Sequence, residues 1–202
     1  MQNPDPTRRK AIIVAAATAG AALIPGAARA AAGQRKSLPQ AQMTGGKPLM
    51  EAFSRRMSTR KFSDTSIMEQ DISNILWAAW GINRPGLRTA PSARNLQNAA
   101  VYAVLADGVW EYDATAHELT QALPGDQRGK FGGAPLTLLY AAPDDEFAAM
   151  LLGSLYQNAG LYCASVGLGN VVKASGRDAL KGKLSLPSGY SVRIVQSIGW
   201  PA

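Results

Sequence analysis

Cysteine and histidine are nearly absent from the 202-residue chain, which contains one of each. Cys163 therefore has no partner within the chain for a disulfide, and the two residues are too few to build a zinc site in one chain. Cys163 lies in an apolar, helix-like sequence, which favours a buried thiol over a nucleophile. His117 lies between two predicted strands, where a solvated hairpin residue is expected. A Ser-His-Asp hydrolase would depend on this one histidine and is not favoured.

Charged residues are also few, at 17% of the chain, whereas apolar residues make up 47%. This composition is typical of one globular domain with a hydrophobic core and excludes a disordered chain. The formal net charge is +7, but several of the cations lie within residues 1–30. The remaining positive charge is spread along the chain, so we do not predict a nucleic-acid-binding surface.

Residues 1–32 have the pattern of an export signal. Three cations, residues 8–10, precede an uncharged run over residues 11–28, and small residues follow where a signal peptidase would cut. The adjacent arginines resemble a twin-arginine signal, which implies export of the folded protein to the periplasm. An uncleaved membrane anchor is the alternative, but Pro25-Gly26 leaves a helix shorter than the roughly 17 to 25 residues of a membrane span. Cleavage is therefore favoured, with only transient membrane contact during export.

The rest of the sequence divides into a linker, residues 33–46, and one folded domain, residues 47–202. Glycine and proline among polar residues predict that the linker is flexible. In the domain, the sequence pattern predicts helices over residues 48–56, 66–80, 145–166 and 177–184, and strands over residues 99–106, 109–112, 136–141, 170–174 and 191–198. Most strands follow one another and do not alternate regularly with helices, so the predicted fold class is α+β.

Two short segments contain the residues best suited to bind a phosphate group. The first, the cationic segment, is RRMSTRKF over residues 55–62, and the second, the Pro-Ser segment, is APSARNLQ over residues 90–97. Arginine offers forked donors that match phosphate oxygens, and Ser58 adds a hydroxyl and a main-chain N–H. The cationic segment alone is equally consistent with a solvated helix end. Its combination with the Pro-Ser segment favours a flavin site.

The order, spacing and residue types of the two segments resemble the FMN-dependent nitroreductase family, in which an Arg-x-Ser-x-Arg/Lys-x-Phe run precedes Pro-Ser-x-x-Asn-x-Gln. This resemblance implies a three-layer α/β/α fold with a mostly antiparallel central sheet, a homodimer, and FMN as the cofactor. In the cationic segment it implies that the cofactor-binding residues are Arg55, Arg56, Met57, Ser58 and Arg60. It assigns Arg56 and Ser58 to the phosphate, and Arg60 to the phosphate or the pyrimidine edge. The residues that it places against the partner subunit's flavin are Pro91, Ser92, Ala93 and Asn95.

The Gly-rich segment, residues 167–175 with the sequence GLGNVVKAS, is the third region of resemblance. It is similar to the family's segment beneath the isoalloxazine ring, which implies that the backbone N–H of Ala174 faces flavin N5, with Lys173 and Ser175 beside it. Gln157, in the preceding predicted helix, is a further candidate for the flavin side. The cofactor carries the hydride chemistry, so no side chain is assigned as a catalytic acid or base, and no metal is expected.

The resemblance implies an oxidoreductase that cycles FMN between a hydride donor, with NAD(P)H as a candidate, and a small acceptor such as a nitroaromatic or a quinone. The sequence has no Gly-rich dinucleotide fingerprint, which leaves the donor open. The compact predicted hairpin between Asn95 and Pro135 resembles the SagB-type dehydrogenase branch, so an alternative is oxidation of an organic or peptide-derived substrate. Two further alternatives are a flavin-binding electron carrier without turnover and a basic interaction protein that binds no flavin.

Overall fold

A computed structural model describes residues 33–202 of the chain, and the export signal predicted for residues 1–32 lies outside these residues. The three α-helices of the described part are α1 (Leu49–Arg55), α2 (Glu69–Trp80) and α3 (Glu146–Val166). Its strands are β1 (Arg35–Ser37), β2 (Ile82–Arg84), β3 (Leu87–Arg88), β4 (Ala100–Leu105), β5 (Gly108–Asp113), β6 (Glu118–Pro124), β7 (Leu136–Ala142), β8 (Gly169–Lys173) and β9 (Ser191–Gly199). Within residues 33–202, no helix combines the length and apolar character needed to cross a membrane.

Seven of the strands form one sheet in the order β1-β6-β5-β4-β7-β9-β8, and every neighbouring pair is antiparallel. The strands β2 and β3 form a separate hairpin. β7 is buried along its whole length because it pairs with β4 and β9 in the middle of the sheet. The predicted α+β class with a large antiparallel sheet is confirmed.

Side chains alternate between the two faces of the sheet, so each face builds its own apolar core. On β4, Val101 and Ala103 belong to the core beneath helices α2 and α3. Tyr102 and Val104, which alternate with them, pack on the other face with Leu180. On that second face, residues 177–184 form turns rather than the predicted basic helix.

Helix α3 has clear signals at both ends. The Asp145 side chain caps its start by accepting a hydrogen bond from the Ala148 N–H at 2.7 Å. Gly167 ends it in the left-handed conformation, with φ 86°, which a side chain would disfavour. Cys163 on this helix is fully buried, and this burial raises the pKa of its thiol, as expected for a structural cysteine.

The first described residues belong to the fold, which differs from the flexible linker predicted for residues 33–46. Residues 35–37 form β1, which pairs with β6 at one edge of the sheet, and Leu38 is buried in the core. The main chain continues onto α2, where Asn74 Oδ1 accepts a hydrogen bond from the Gln42 N–H at 2.8 Å. Residues 35–37 show no apolar alternation because an exposed three-residue edge strand needs none.

His117 is held by hydrogen bonds and is half-buried, so the expectation of a solvated residue is wrong. Its Nδ1 lies 2.9 Å from the Tyr112 hydroxyl, and its Nε2 lies 2.9 Å from the Pro39 carbonyl oxygen and 2.8 Å from Ser73 Oγ. A carbonyl oxygen only accepts, so the Nε2–H donates to it. Although Ser73 and His117 are in contact, the serine is fully buried and cannot meet a substrate. His117 thus joins the turn between β5 and β6 to Ser73 of α2 and to the main chain at Pro39, after β1.

Candidate functional site

The free edge of β8 is the place where two of the three predicted segments meet. β8 lies at the end of the sheet and pairs with β9 on one side only. On its other side, Ser58 of the cationic segment forms a parallel bridge to Asn170, and the Thr59 N–H donates to the Asn170 carbonyl oxygen at 2.8 Å. The fold thus places the cationic segment directly beside the Gly-rich segment.

The main-chain groups of β8 alternate in direction along the strand. The residues of an antiparallel pair point their N–H and C=O groups towards the partner strand and away from it in turn. Because the Asn170 carbonyl faces the cationic segment, the main-chain groups of Val172 face the same outer edge. Ala174 lies just beyond the end of β8 and is exposed, as is Ser175. This edge therefore offers main-chain donors and acceptors to a planar polar ligand.

The arginines of the cationic segment differ in their availability. Arg55 Nε donates to Glu51 Oε1 at 2.8 Å, and Glu51 also pairs with Lys47 at 3.1 Å. These two cations lower the pKa of the Glu51 carboxyl. Arg56 and Arg60 are exposed, and neither forms an ion pair or a side-chain hydrogen bond with any residue in 33–202. These two guanidinium groups, with the exposed Ser58 hydroxyl, form a donor set that suits a phosphate monoester.

Two glycines allow the close packing around β8. A Cβ atom at Gly169 would lie 2.7 Å from the side chain of Thr59, closer than real Cβ contacts allow. A Cβ atom at Gly160 of α3 would lie 3.2 Å from Asn170 Oδ1. The cationic segment packs against the edge of β8, and α3 packs against one face of the same strand. Neither approach leaves room for a larger residue at these positions.

Gln157 and Lys173 lie close to this junction but differ in their contacts. Gln157 is one helical turn before Gly160, so it shares the face of α3 that packs on Asn170, and it is half-buried. The Lys173 side chain leaves the opposite face of β8 and donates from Nζ to the Phe131 carbonyl oxygen at 2.7 Å. Its partial burial lowers the pKa of its ammonium group. By the alternation along β8, the main-chain groups of Lys173 face β9, so Lys173 offers the free edge neither its side chain nor its main-chain polar groups.

The Pro-Ser segment lies along α3, separate from the cationic segment. Asn158, in the middle of α3, donates to the Thr89 carbonyl oxygen at 3.4 Å, and the Arg94 guanidinium carbon is 6.0 Å from the Phe147 ring near the helix start. Among the hydrogen bonds and ion pairs of residues 33–202, none joins the Pro-Ser segment to the cationic segment. Within one chain, the two predicted halves of the site are therefore not joined to each other by hydrogen bonds or ion pairs.

The Pro-Ser segment holds a strained backbone. Arg94, Asn95 and Gln97 have positive φ angles of 52°, 54° and 48°, which non-glycine residues adopt at a cost. Gln97 stabilises this conformation, because its N–H donates to Ser92 Oγ at 3.1 Å and its Nε2 donates to Asn95 Oδ1 at 2.8 Å. Its Oε1 accepts from Arg88 Nε at 2.8 Å. Three of the four non-glycine residues with positive φ in 33–202 therefore lie in this predicted binding segment, and the fourth is His117.

Two buried amides beside the candidate site, Asn170 and Gln196, were not singled out by the sequence. Both are buried amides in strands that are otherwise apolar, and they are joined by a hydrogen bond of 3.0 Å. A polar residue within an apolar strand was the available signal, since a buried amide needs a specific partner. The sequence did not show which residue each amide bonds to, because Asn170 and Gln196 lie on different strands.

Large apolar side chains are exposed on α1, at the start of α3 and in the Pro-Ser segment. Helix α1 leaves Leu49, Met50 and Phe53 in solvent, and Met57 follows in the cationic segment. Phe147 and Met150 are exposed at the start of α3, and Leu96 is exposed in the Pro-Ser segment. Four of these exposed side chains lie within residues 49–57, so α1 and the start of the cationic segment have the character of an interface.

The chain is similar to proteins of one family. A model of the nitroreductase family matches residues 53–200. The crystal structure of a nitroreductase-like protein from Ralstonia eutropha is 34% identical, covers 83% of this chain and 90% of its own, and superposes with a TM-score of 0.75. The microcin synthetase complex McbBCD of E. coli contains a chain that is 22% identical, with coverages of 80% and 75% and a TM-score of 0.62.

A third solved structure, from Desulfovibrio desulfuricans, is a nitroreductase-like protein in complex with FMN. It is 20% identical, with coverages of 77% of this chain and 87% of its own and a TM-score of 0.57. No curated protein matches the chain by sequence. At this level of identity, the Desulfovibrio and E. coli structures show a shared fold.

Proposed function

Since the chain belongs to the nitroreductase family, we propose that it transfers hydride from a reduced donor to a small organic acceptor, such as a nitroaromatic or a quinone. The protein is an oxidoreductase and its cofactor is FMN. The observation that carries the proposal is the contact of Ser58 and Thr59 with Asn170, which joins a phosphate-binding donor set to the free edge of β8.

The residues at this edge fit FMN in two respects. Arg56, Arg60 and Ser58 provide charge-assisted and neutral donors for the phosphate, and the cationic segment contains no acidic residue that would repel it. The outward main-chain groups of β8, with the Ala174 N–H after them, provide donors for the polar edge of the ring. When bound, FMN supplies the hydride chemistry, and the chain orients it and adjusts its potential. A guanidinium at the pyrimidine edge, assigned to Arg60, would stabilise negative charge there.

Two copies of the chain would complete each site. The Pro-Ser segment lies along α3 and has no hydrogen bond or ion pair with the cationic segment in residues 33–202, while α1 and the start of α3 expose apolar side chains. A homodimer that buries this surface would bring the Pro-Ser segment of one subunit, with Pro91, Ser92, Ala93 and Asn95, to the cofactor of the other. The strained backbone at Asn95 would then be held in place before the cofactor binds.

The proposed location is the periplasm. The pattern of residues 1–32 favours export by the twin-arginine route, which moves proteins that have folded around their cofactor. NAD(P)H is the proposed donor in vitro, because it is what the family implies.

The test uses the full chain, including residues 1–32, expressed in a Gram-negative host. Protein recovered from the periplasm is expected to be yellow, to lose its flavin absorbance when NAD(P)H is added without oxygen, and to regain it with a nitroaromatic. Colourless protein that takes up no added FMN would contradict the cofactor assignment. Yellow protein that is neither bleached by NAD(P)H nor restored by the acceptor would contradict the proposed reaction.

Oxidation of a peptide-derived substrate is a second candidate. It is favoured by the fold shared with a chain of the McbBCD microcin synthetase and by the compact β5–β6 hairpin, which occupies residues 108–124 in place of a helical cover. Under this reading, a peptide azoline would bleach the bound flavin without oxygen and without NAD(P)H. Bleaching by NAD(P)H alone favours the first candidate.

A further inference from the structure

A chain of buried amide and hydroxyl groups runs from the centre of the sheet to the cationic segment. Gln196 on β9 is fully buried, and its Oε1 accepts a hydrogen bond from the Tyr140 hydroxyl on β7 at 2.6 Å. Its Nε2 donates to the Tyr156 carbonyl oxygen on α3 at 3.1 Å and to Asn170 Oδ1 on β8 at 3.0 Å. One side-chain amide therefore ties β7, α3 and β8 to β9.

Asn170 connects this buried network to the surface. Its side chain accepts from Gln196 inside the protein, while its carbonyl oxygen accepts from the Thr59 N–H at the outer edge. Only 4% of Asn170 is exposed, and Gly160 leaves just enough room for its side chain. The hydrogen bonds in the core of the sheet therefore determine the position of Thr59 and of Ser58 beside it.

A contribution to the stability of the fold does not by itself explain why residues 170 and 196 are amides. Burying a polar side chain costs free energy unless its hydrogen bonds are satisfied, and well-packed apolar residues are often at least as stabilising. A satisfied polar network instead fixes distances and directions, because a hydrogen bond forms in only a narrow range of geometries. This network fixes the position of β8 relative to α3. It therefore also fixes the place where the cationic segment packs against β8.

We propose that Gln196 and Asn170 are positioning residues for the phosphate end of the FMN site. They hold β8 so that the Asn170 carbonyl fixes the cationic segment, which keeps Ser58, Arg56 and Arg60 convergent on the phosphate. This inference rests on the proposed function, because it takes the cationic segment to bind the FMN phosphate. Neither amide needs to touch the cofactor.

The test compares FMN with riboflavin, which has the same ring system and no phosphate. Asn170→Ala removes the acceptor of the Gln196 amide, and Gln196→Met removes the amide while nearly keeping the side-chain length. In either variant the dissociation constant of FMN is expected to rise about tenfold more than that of riboflavin, the effect of losing about one charge-assisted hydrogen bond. The ³¹P resonance of bound FMN is expected to shift, which a general loss of stability would not cause.

Asn74→Ala is the matched control. Asn74 is also a buried amide, but it lies on α2 and bonds to the Tyr162 hydroxyl at 2.8 Å, with no contact to β8 in these hydrogen bonds. It is expected to lower the melting temperature while leaving both the FMN-to-riboflavin ratio and the ³¹P resonance unchanged. The inference is overturned if Asn170→Ala or Gln196→Met behaves like this control, or weakens both flavins equally. A wild-type protein that binds no FMN would contradict the proposed function instead.

Discussion

At the scale of single residues, the arginines of the cationic segment differ in whether they form an ion pair. Arg55 already has an ion pair with Glu51 one helical turn away, whereas Arg56 and Arg60 have no acidic partner among residues 33–202. A guanidinium that is already paired must give up that contact to bind a phosphate. The structure therefore distinguishes Arg55 from Arg56 and Arg60, the two arginines that the resemblance assigns to particular parts of FMN.

Alanine substitution at these positions gives a direct prediction. Arg56→Ala and Arg60→Ala are each expected to raise the dissociation constant of FMN about tenfold or more, since each removes a charge-assisted hydrogen bond. Arg55→Ala is the control and is expected to change it less than about threefold, because an exposed helical ion pair contributes little. Fluorescence titration of the apoprotein with FMN measures all three. Equal effects at the three positions would contradict this distinction.

At the scale of elements, the edge of β8 positions the cationic segment that packs against it. Gly169→Ala tests this directly, because the added methyl group would overlap the Thr59 side chain. The variant is expected to weaken FMN binding about tenfold, as the segment moves away from β8 and loses an optimally placed donor. Gly129→Ala is the control, since a Cβ atom there has nothing within 4 Å. Unchanged FMN affinity in Gly169→Ala would show that the contact does not matter for the site.

The N-terminal strand is a second element whose role can be tested. Leu38 follows β1 and is 9% exposed, so Leu38→Ala is expected to lower the free energy of unfolding by about 2 kcal/mol. Met43→Ala, on the same stretch of chain, is expected to change it by less than about 0.5 kcal/mol because Met43 is 65% exposed. Denaturant unfolding measures both values. Equal, small effects would support the flexible linker that the sequence predicts.

The long elements could be predicted from the sequence because their signals are local. Periodic apolar residues define α2 and α3, and a continuous apolar run defines β7. The predicted helix over residues 177–184 fails because Gly176 and Gly182 take φ angles of 85° and 74°, which break a helix into turns. The pattern of apolar and polar residues does not predict the positive φ angle of either glycine.

The candidate site could be predicted only where its residues adjoin in sequence. The cationic, Pro-Ser and Gly-rich segments were recognisable as short motifs, and their assigned contacts with FMN stay predictions. The hydrogen bonds of His117 to Ser73 and of Asn170 to Gln196 join residues from distant parts of the chain. Such pairings depend on the register of strands and helices, which a single sequence does not specify.

At the scale of the whole molecule, the separation of the two motifs becomes informative. The cationic segment docks on β8, and the Pro-Ser segment follows the first half of α3. Helix α1 and the start of α3 expose apolar side chains that water solvates poorly. In the proposed homodimer each subunit would supply one half of each site, so cofactor binding and association are expected to depend on each other.

Phe53→Glu tests this dependence, because it places a charge on the exposed apolar face of α1, where Phe53 is 48% exposed. A buried, unpaired carboxylate at an interface is strongly unfavourable, so the variant is expected to be monomeric in sedimentation experiments and to lose most of its FMN. Met68→Glu is the control: Met68 is 66% exposed at the start of α2, and its variant should stay dimeric and yellow. A monomeric Phe53→Glu protein that keeps its FMN would mean that each subunit builds a complete site alone, and the Pro-Ser segment would then need a different role.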